Sequence, residues 1–231
     1  MITVSNISKK YNGVQVLNIE NLEISKGQSF GLVGNNGAGK TTFFSLLLDL
    51  IQPTTGNILS KEILVHKSED WKPFTSAFID ESFLIGYLTA EEYFYFIGEL
   101  RGQSKEQIDE FVKQFDEIFN DEILGKKKYL RDLSKGNQKK AGIVAALIGN
   151  PEVVILDEPF ANLDPTTQIR LKQMLNSLVE NMDITLLVSS HDLGHITEVC
   201  ERIVVLDKGI VIKDLITSSE TLQELESHFS M

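Results

Sequence analysis

The stretch Gly34-Asn35-Asn36-Gly37-Ala38-Gly39-Lys40-Thr41 decides the fold. It fits G-x-x-x-x-G-K-[ST], a loop that wraps phosphate groups. Before it, Ser29-Phe30-Gly31-Leu32-Val33 reads as a short buried strand, and after it Thr42 to Leu50 reads as an apolar-faced helix. A strand feeding a glycine turn into a helix N-terminus aims successive backbone N–H groups, and the positive end of the helix dipole, at one point. Gly34, Gly37 and Gly39 leave the chain room to wrap a β-phosphate, and Asn35, Asn36, Ala38 and Thr42 complete the cradle. Lys40 is expected to reach the β- and γ-phosphates, and the Thr41 hydroxyl to take a place on Mg²⁺.

Further segments fix the class. Leu133-Ser134-Lys135-Gly136-Asn137 precedes Val153-Val154-Ile155-Leu156-Asp157-Glu158-Pro159, which is followed by Asn162-Leu163-Asp164-Pro165 and by Ser189-Ser190-His191-Asp192. In this order and at these spacings the chain resembles, essentially from end to end, the ATP-binding domain of ABC (ATP-binding cassette) transporters. The resemblance implies an α/β P-loop NTPase with a mostly parallel sheet, an N-terminal antiparallel β region and an inserted α-helical subdomain. It implies one ABC-type domain over 1–231, with a catalytic core of about 1–83 and 151–231 and a helical subdomain of about 84–150.

The same resemblance assigns roles. Asp157 ends an apolar strand and is expected to hold Mg²⁺ through water, with Thr41 as the other metal ligand. Glu158 resembles the general base that polarises the attacking water. His191 matches the switch histidine that contacts the γ-phosphate, and Asp164 lies in the D-loop. Tyr11, ahead of Gly13, fits the aromatic that stacks on adenine. Ser134, Lys135, Gly136 and Asn137 stand at the signature, whose serine caps a helix and binds the γ-phosphate of the opposite subunit. Here Lys135 replaces the first glycine and Asn137 replaces glutamine; this S-K-G form resembles ATPases that pair with ABC-2-type exporters. Glu81 aligns with the Q-loop, where many relatives have glutamine, and resembles the acidic variant of that exporter branch.

Composition agrees. The formal charge is 22 − 33 = −11, which disfavours nucleic acid as a partner, since phosphate backbones need a basic face. Lys126-Lys127-Lys128 is the only basic run and reads as a solvated loop or helix end. No apolar run approaches the roughly 18 residues that cross a bilayer, and Met1-Ile2-Thr3-Val4-Ser5 lacks the start of a signal peptide. A soluble, cytoplasmic chain is therefore expected, and the resemblance implies that permease subunits hold it at the inner face of the membrane. The one cysteine, Cys200, excludes an internal disulfide and reads as a small core residue.

Along the chain, Asn12-Gly13 signals a hairpin, Asn57 to Leu59 and Phe78-Ile79 read as strands, and the pattern turns helical from about Leu84 to Gly149. Thr89 with Glu92, and Ser104 with Gln107, are capping boxes. Ile108, Phe111, Val112, Phe115, Ile118 and Phe119 form one apolar stripe. Strands return at Val153–Leu156, Ile184–Ser189 and a hairpin around Asp207-Lys208-Gly209, and Ser219–Phe229 reads as a terminal helix. Continuous apolar strands alternating with helices argue for a parallel sheet covered on both faces. His66, His195 and His228 match no motif.

The leading expectation is the ATPase subunit of a membrane transporter, leaning to export. It would work as a homodimer or heterodimer with two ATP molecules between the P-loop of one copy and the signature of the other. A soluble ABC ATPase without a transport role is the alternative, although tandem cassettes, a basic arm or a long coiled-coil insertion are not seen. A P-loop kinase or GTPase would leave the signature, Asp164-Pro165 and His191 unexplained. Phe83, Tyr87, Tyr93, Phe94, Tyr95 and Phe96 crowd one segment near Glu81. One helix face cannot bury them all, so some are expected to form an exposed patch for the permease.

Overall fold

The computed structural model describes residues 1–182 and 184–229. Its strands are β1 (Ile2–Tyr11), β2 (Val14–Ile24), β3 (Ser29–Val33), β4 (Thr55–Ser60), β5 (Ile63–Leu64), β6 (Thr75–Phe78), β7 (Val153–Leu156), β8 (Thr185–Ser190), β9 (Arg202–Asp207) and β10 (Ile210–Ile216). Its helices are α1 (Lys40–Leu47), α2 (Ala90–Leu100), α3 (Lys105–Lys113), α4 (Asp116–Phe119), α5 (Lys135–Leu147), α6 (Pro165–Met182), α7 (Leu193–Val199) and α8 (Thr221–Phe229).

The larger sheet has the order β10-β9-β3-β8-β7-β6. Every neighbouring pair from β9 to β6 is parallel, and β10 adds an antiparallel edge. The smaller sheet, β2-β1-β4-β5, is antiparallel throughout. Strands β3, β7 and β8 are buried along their whole length, as a sheet covered on both faces requires.

The two-residue period of the strands sorts their side chains into two cores. Phe30, Leu32, Val153, Ile155, Leu187, Val204 and Leu206 point into one, with Phe43 and Phe44 of α1 and the inner face of the smaller sheet. Their neighbours Val33, Val154, Leu156, Leu186, Val188, Ile203 and Val205 point into the other, with residues of α2 to α7. The apolar stripe of the helical segment joins this second core without a break, so helices and sheet share one interior. Cys200 is buried in it, and burial pushes its thiol pKa up.

The expected elements are present with shifted edges. The helix after the phosphate loop runs from Lys40 to Leu47 rather than from Thr42 to Leu50. It starts early because the left-handed Gly39 (φ 108°) turns the chain directly into it, and Asp49 at φ 53° lies just past its end. The strands expected at Asn57–Leu59 and Phe78-Ile79 run instead over Thr55–Ser60 and Thr75–Phe78. Both capping boxes form. The stripe from Ile108 to Phe119 spans two helices, because the chain leaves helical geometry at Phe115 (φ −108°, ψ 11°). Asp116 and Glu117 then open α4 with charges suited to a helix N-terminus. Lys126, Lys127 and Lys128 lie on an exposed loop.

Candidate active site

The phosphate loop connects the C-terminal end of β3 to the first turn of α1. Gly34 packs so tightly that a Cβ there would meet the Leu206 carbonyl oxygen at 2.3 Å. Gly39 has a φ of 108° that L side chains avoid. Asn36, Gly37, Ala38, Gly39, Thr41 and Thr42 line a cavity of about 280 Å³, with Tyr11, Lys40 and Glu158 completing its wall. Gly34 and Asn35 brace the loop from behind: the Gly34 carbonyl accepts from Lys40 Nζ at 2.6 Å, and the Asn35 carbonyl accepts from Ala38 N at 3.0 Å. The Tyr11 ring is 46% exposed at the rim, with Lys9 Nζ 4.9 Å from its centroid.

At the C-terminal end of β7 the chain delivers two carboxylates of unlike environment. Asp157 is buried, accepts from Thr41 Oγ1 at 2.5 Å through Oδ2, and accepts from the Ser189 hydroxyl through Oδ1. Burial raises its pKa, and the two hydroxyls offset this only in part. A hard cation at this corner would relieve that penalty, and a Thr hydroxyl beside a carboxylate oxygen is a donor set that suits Mg²⁺.

Glu158 lies over the cavity, its Oε1 3.3 Å from Lys40 Nζ and its Oε2 2.9 Å from His191 Nδ1. Its backbone is left-handed at φ 47°, a conformation that costs a non-glycine residue about 1–2 kcal/mol and persists only where the surroundings hold it. Three groups hold it. The Ser189 hydroxyl accepts from Glu158 N at 3.0 Å, while Lys139 Nζ at 2.7 Å and Ala161 N at 3.3 Å both donate to the Glu158 carbonyl.

The signature residues stand apart from this cavity. Ser134 caps α5, its Oγ accepting from Asn137 N at 3.2 Å. Ser134 and Lys135 are exposed, Gly136 and Asn137 half-buried, and none of the four lines the cavity. Asp164 is also turned inward on its own chain: it accepts from Thr167 N at 3.0 Å and Thr167 Oγ1 at 2.5 Å, capping α6, and those bonds lower its pKa. Glu81 opens a 3-10 turn capped by Asp80, and its Oε1 lies 3.8 Å from Lys139 Nζ.

Comparison with known proteins names the scaffold. The family described as ABC transporter matches residues 17–161. The chain belongs to the ABC transporter family. It is 34% identical over 219 residues to YhaQ of Bacillus subtilis, an uncharacterized ABC transporter ATP-binding protein, covering 90% of this chain and 69% of that one. It is 30% identical to the methionine import ATP-binding protein MetN of Carboxydothermus hydrogenoformans, covering 93% of this chain and 66% of that one. Identity to the bacitracin transport ATP-binding protein BcrA of Enterococcus faecalis is also 30%, over 93% and 69%. The dimeric structure of the bacterial cassette MJ0796 superposes with a TM-score of 0.84 at 25% identity, covering 95% of this chain and 100% of that one. The chain is therefore an ATP-binding subunit of this family and an ATPase.

The cassette has a second concavity, of about 350 Å³, between the end of α1 and α2, lined by Leu50, Phe83, Leu84, Tyr93, Ile97 and Leu100 among others. Arg101 ties the end of α2 to β6 beneath it, donating to the Pro73 and Thr75 carbonyls and to Ser76 Oγ. The aromatic crowd divides here. Phe94 is buried and stacks on Phe119 at 5.9 Å. Tyr93 is half-buried in the groove wall. Tyr95 donates its hydroxyl to Asp109 at 2.6 Å, which pushes its pKa up to about 12. Phe83, Tyr87 and Phe96 are exposed, and of these only Phe83 lines the groove.

Among the described residues no helix is long and apolar enough to cross a membrane. His195 packs its ring on Phe160 at 4.8 Å, a structural contact. His66 lies in a 3-10 turn, and the His228 side chain lies outside the described residues.

Lys139 is the residue that motif reading passes over. The signal was available: α5 continues into Ala141–Leu147, buried all round, so no solvated face remains for a lysine one turn in from its exposed start.

Proposed function

We propose that this cassette hydrolyses ATP to drive a membrane transporter, as one of two ATP-binding subunits docked on permease subunits at the inner face of the membrane. One observation carries the catalytic part: Glu158 is held in a left-handed turn with its carboxylate between Lys40 and His191, directly over the phosphate loop. In this reading Gly34 to Thr42 bind the triphosphate and Tyr11 stacks on adenine. Thr41 and Asp157 would hold Mg²⁺, which when bound neutralises charge on the β- and γ-phosphates.

Glu158 orients the attacking water and takes its proton at the carboxylate. His191 holds that carboxylate through Nδ1 and reports the γ-phosphate. Lys40 balances the charge on both. Asp164 fixes the turn that leads into α6, and Glu81 links the helical segment to the site.

The reading divides the cassette into a catalytic core of about 1–83 and 151–231 and a helical subdomain of about 84–150. A γ-phosphate needs more positive groups than one phosphate loop supplies. The capped N-terminus of α5, with Ser134, Lys135, Gly136 and Asn137 turned away from their own chain's cavity, supports delivery of those groups in trans from a second cassette, in a homodimer or heterodimer.

The groove beside α2 is the docking place for a short apolar segment of a permease. Direction rests on the motif departures, since a protein named for methionine import and one named for bacitracin transport are equally identical to this chain. Lys135 in the signature and Glu81 at the Q-loop favour export.

The test has two arms. The purified chain should hydrolyse MgATP, and the tagged chain should co-purify from detergent-solubilised membranes with a multi-span protein. ATP hydrolysis by a chain that never associates with membranes would sink the transport reading and leave the ATPase reading standing.

A further inference from the structure

We infer that Lys139 is a positioning residue for Glu158, and that Glu81 is a second, charged acceptor that can draw its ammonium off the Glu158 carbonyl. The inference rests on Glu158 being the general base. Lys139 lies on the signature helix, buried to 6% exposure, with its ammonium between two oxygens. It donates to the Glu158 carbonyl at 2.7 Å, and Glu81 Oε1 stands 3.8 Å away, beyond hydrogen-bond reach. Glu81 Oε1 is itself buried with no hydrogen-bond partner among the described residues. A buried carboxylate oxygen without a donor faces a buried ammonium that donates one of its three N–H groups to a neutral carbonyl, so a small approach would add a charge-assisted bond to Glu81.

The geometry says what the exchange would do. Glu158 is pinned on its N–H side by Ser189 of β8, in the sheet, and on its carbonyl side by Lys139 of α5 at 2.7 Å and, less closely, by Ala161 N at 3.3 Å. The direction of the Glu158 side chain follows from those two peptide planes, and its left-handed φ of 47° depends on them. A shift of under about 1 Å between α5 and the Glu81 turn would bring the ammonium within hydrogen-bond reach of Glu81 and draw it off the Glu158 carbonyl, whose other bond, from Ala161 N, is the longer one at 3.3 Å. Displacements of about 1 Å at a reacting group can cost 10²-fold in rate. Glu81 is two residues from Phe83 in the groove wall, so whatever fills the groove acts on this turn. Turnover is thereby tied to the placement of the helical segment through one lysine.

Removing Lys139 alone would strand a buried carboxylate, so the test removes both charges. In Glu81→Gln/Lys139→Met the shorter of the two donors to the Glu158 carbonyl is lost while packing is kept. Its kcat for MgATP is expected to fall about 10–100-fold, with the MgATP dissociation constant within about threefold of the parent. In a Glu158→Gln background the same pair of changes should slow single-turnover hydrolysis by less than about twofold, because a residue acting through Glu158 has nothing left to position. Equal losses in both backgrounds, or parental turnover in the double variant, overturn the inference. Parental turnover in Glu158→Gln alone would instead sink the general-base reading. If the double variant does not fold, Lys139→Arg decides, since it keeps a charged donor: turnover within about tenfold of the parent supports the role, and a loss as large as that of Glu158→Gln overturns it.

Discussion

Two concavities of this cassette, the phosphate-loop cavity and the groove beside α2, are built on opposite plans. At the phosphate loop the charged groups and the hydroxyls beside Asp157 already have partners on their own chain: Lys40 with Gly34 and Glu158, Thr41 and Ser189 with Asp157, His191 with Glu158. The groove beside α2 has the reverse character. Its wall is mostly carbon, and Leu50, Phe83 and Leu100 keep 48%, 58% and 69% of their surface exposed. Preorganised dipoles suit a small charged ligand that must be held in one pose. An open apolar trough with aromatic edges suits a protein segment, whose binding energy concentrates in a few buried anchors.

The largest effect expected on the polar side is from Glu158→Gln. The cradle and Lys40 stay, so MgATP should still bind, while the proton acceptor is lost and steady-state hydrolysis should drop about 10²–10⁴-fold. Near-parental turnover of the purified variant would remove Glu158 from the chemistry. It would also break the comparison, since the partnered cluster would then be only a structural one.

The signature sharpens the polar side further. The proposed function makes it part of that site, yet it lies outside the cavity on the same chain. Mixing Lys40→Ala chains with Ser134→Arg chains tests whether it arrives from a partner. In a mixed homodimer one site carries both defects and the other carries neither. ATPase activity should therefore recover in part on mixing, and activity no higher than that of either variant alone argues against shared sites.

How much of this was legible beforehand differs between the two concavities. That the phosphate loop, Asp157, Glu158 and His191 would meet was legible because each follows a strand end and the family resemblance supplied their order; the structure brings their side chains together. The alternation of Phe30, Leu32 and Val33, or of Val153 to Leu156, between two cores follows from the strand period. The partnership of Lys139 with Glu81 and Glu158 was not legible, because it joins three elements far apart in the chain. Nor was the fate of the aromatics: in α2, Phe94 and Phe96 are two residues apart, yet one is buried against Phe119 and the other faces out. Helical phase at one residue's resolution depends on where the capping box at Thr89 starts the helix and on what α3 and α4 bring against it.

On the apolar side the expected effects are smaller per residue. Phe83→Ser and Leu100→Ser remove exposed groove edges without opening the core. Each should weaken co-purification with permease subunits by about 2 kcal/mol or more if it is an anchor, roughly 30-fold in affinity. ATP binding by the isolated chain should be unchanged. Unfolding of the isolated chain with assembly intact would show that these side chains serve the fold, and the groove would lose its reading as a docking surface.

The smallest effect should come from Phe96→Ser, and that smallness is informative. Phe96 belongs to the same helix and is 41% exposed, one turn from Leu100, yet it does not line the groove. Scattered exposed aromatics are normal on protein surfaces and carry no function by themselves. A half-exposed ring outside the core contributes little, so thermal unfolding should move by no more than about 1 kcal/mol of stability. Co-purification with membrane subunits should match the parent. If Phe96→Ser weakens assembly as strongly as Phe83→Ser, the contact surface extends around α2. Docking would then follow the exposed face of the helix rather than the concavity, and the contrast between a bounded polar site and a bounded apolar one would fail on its apolar side.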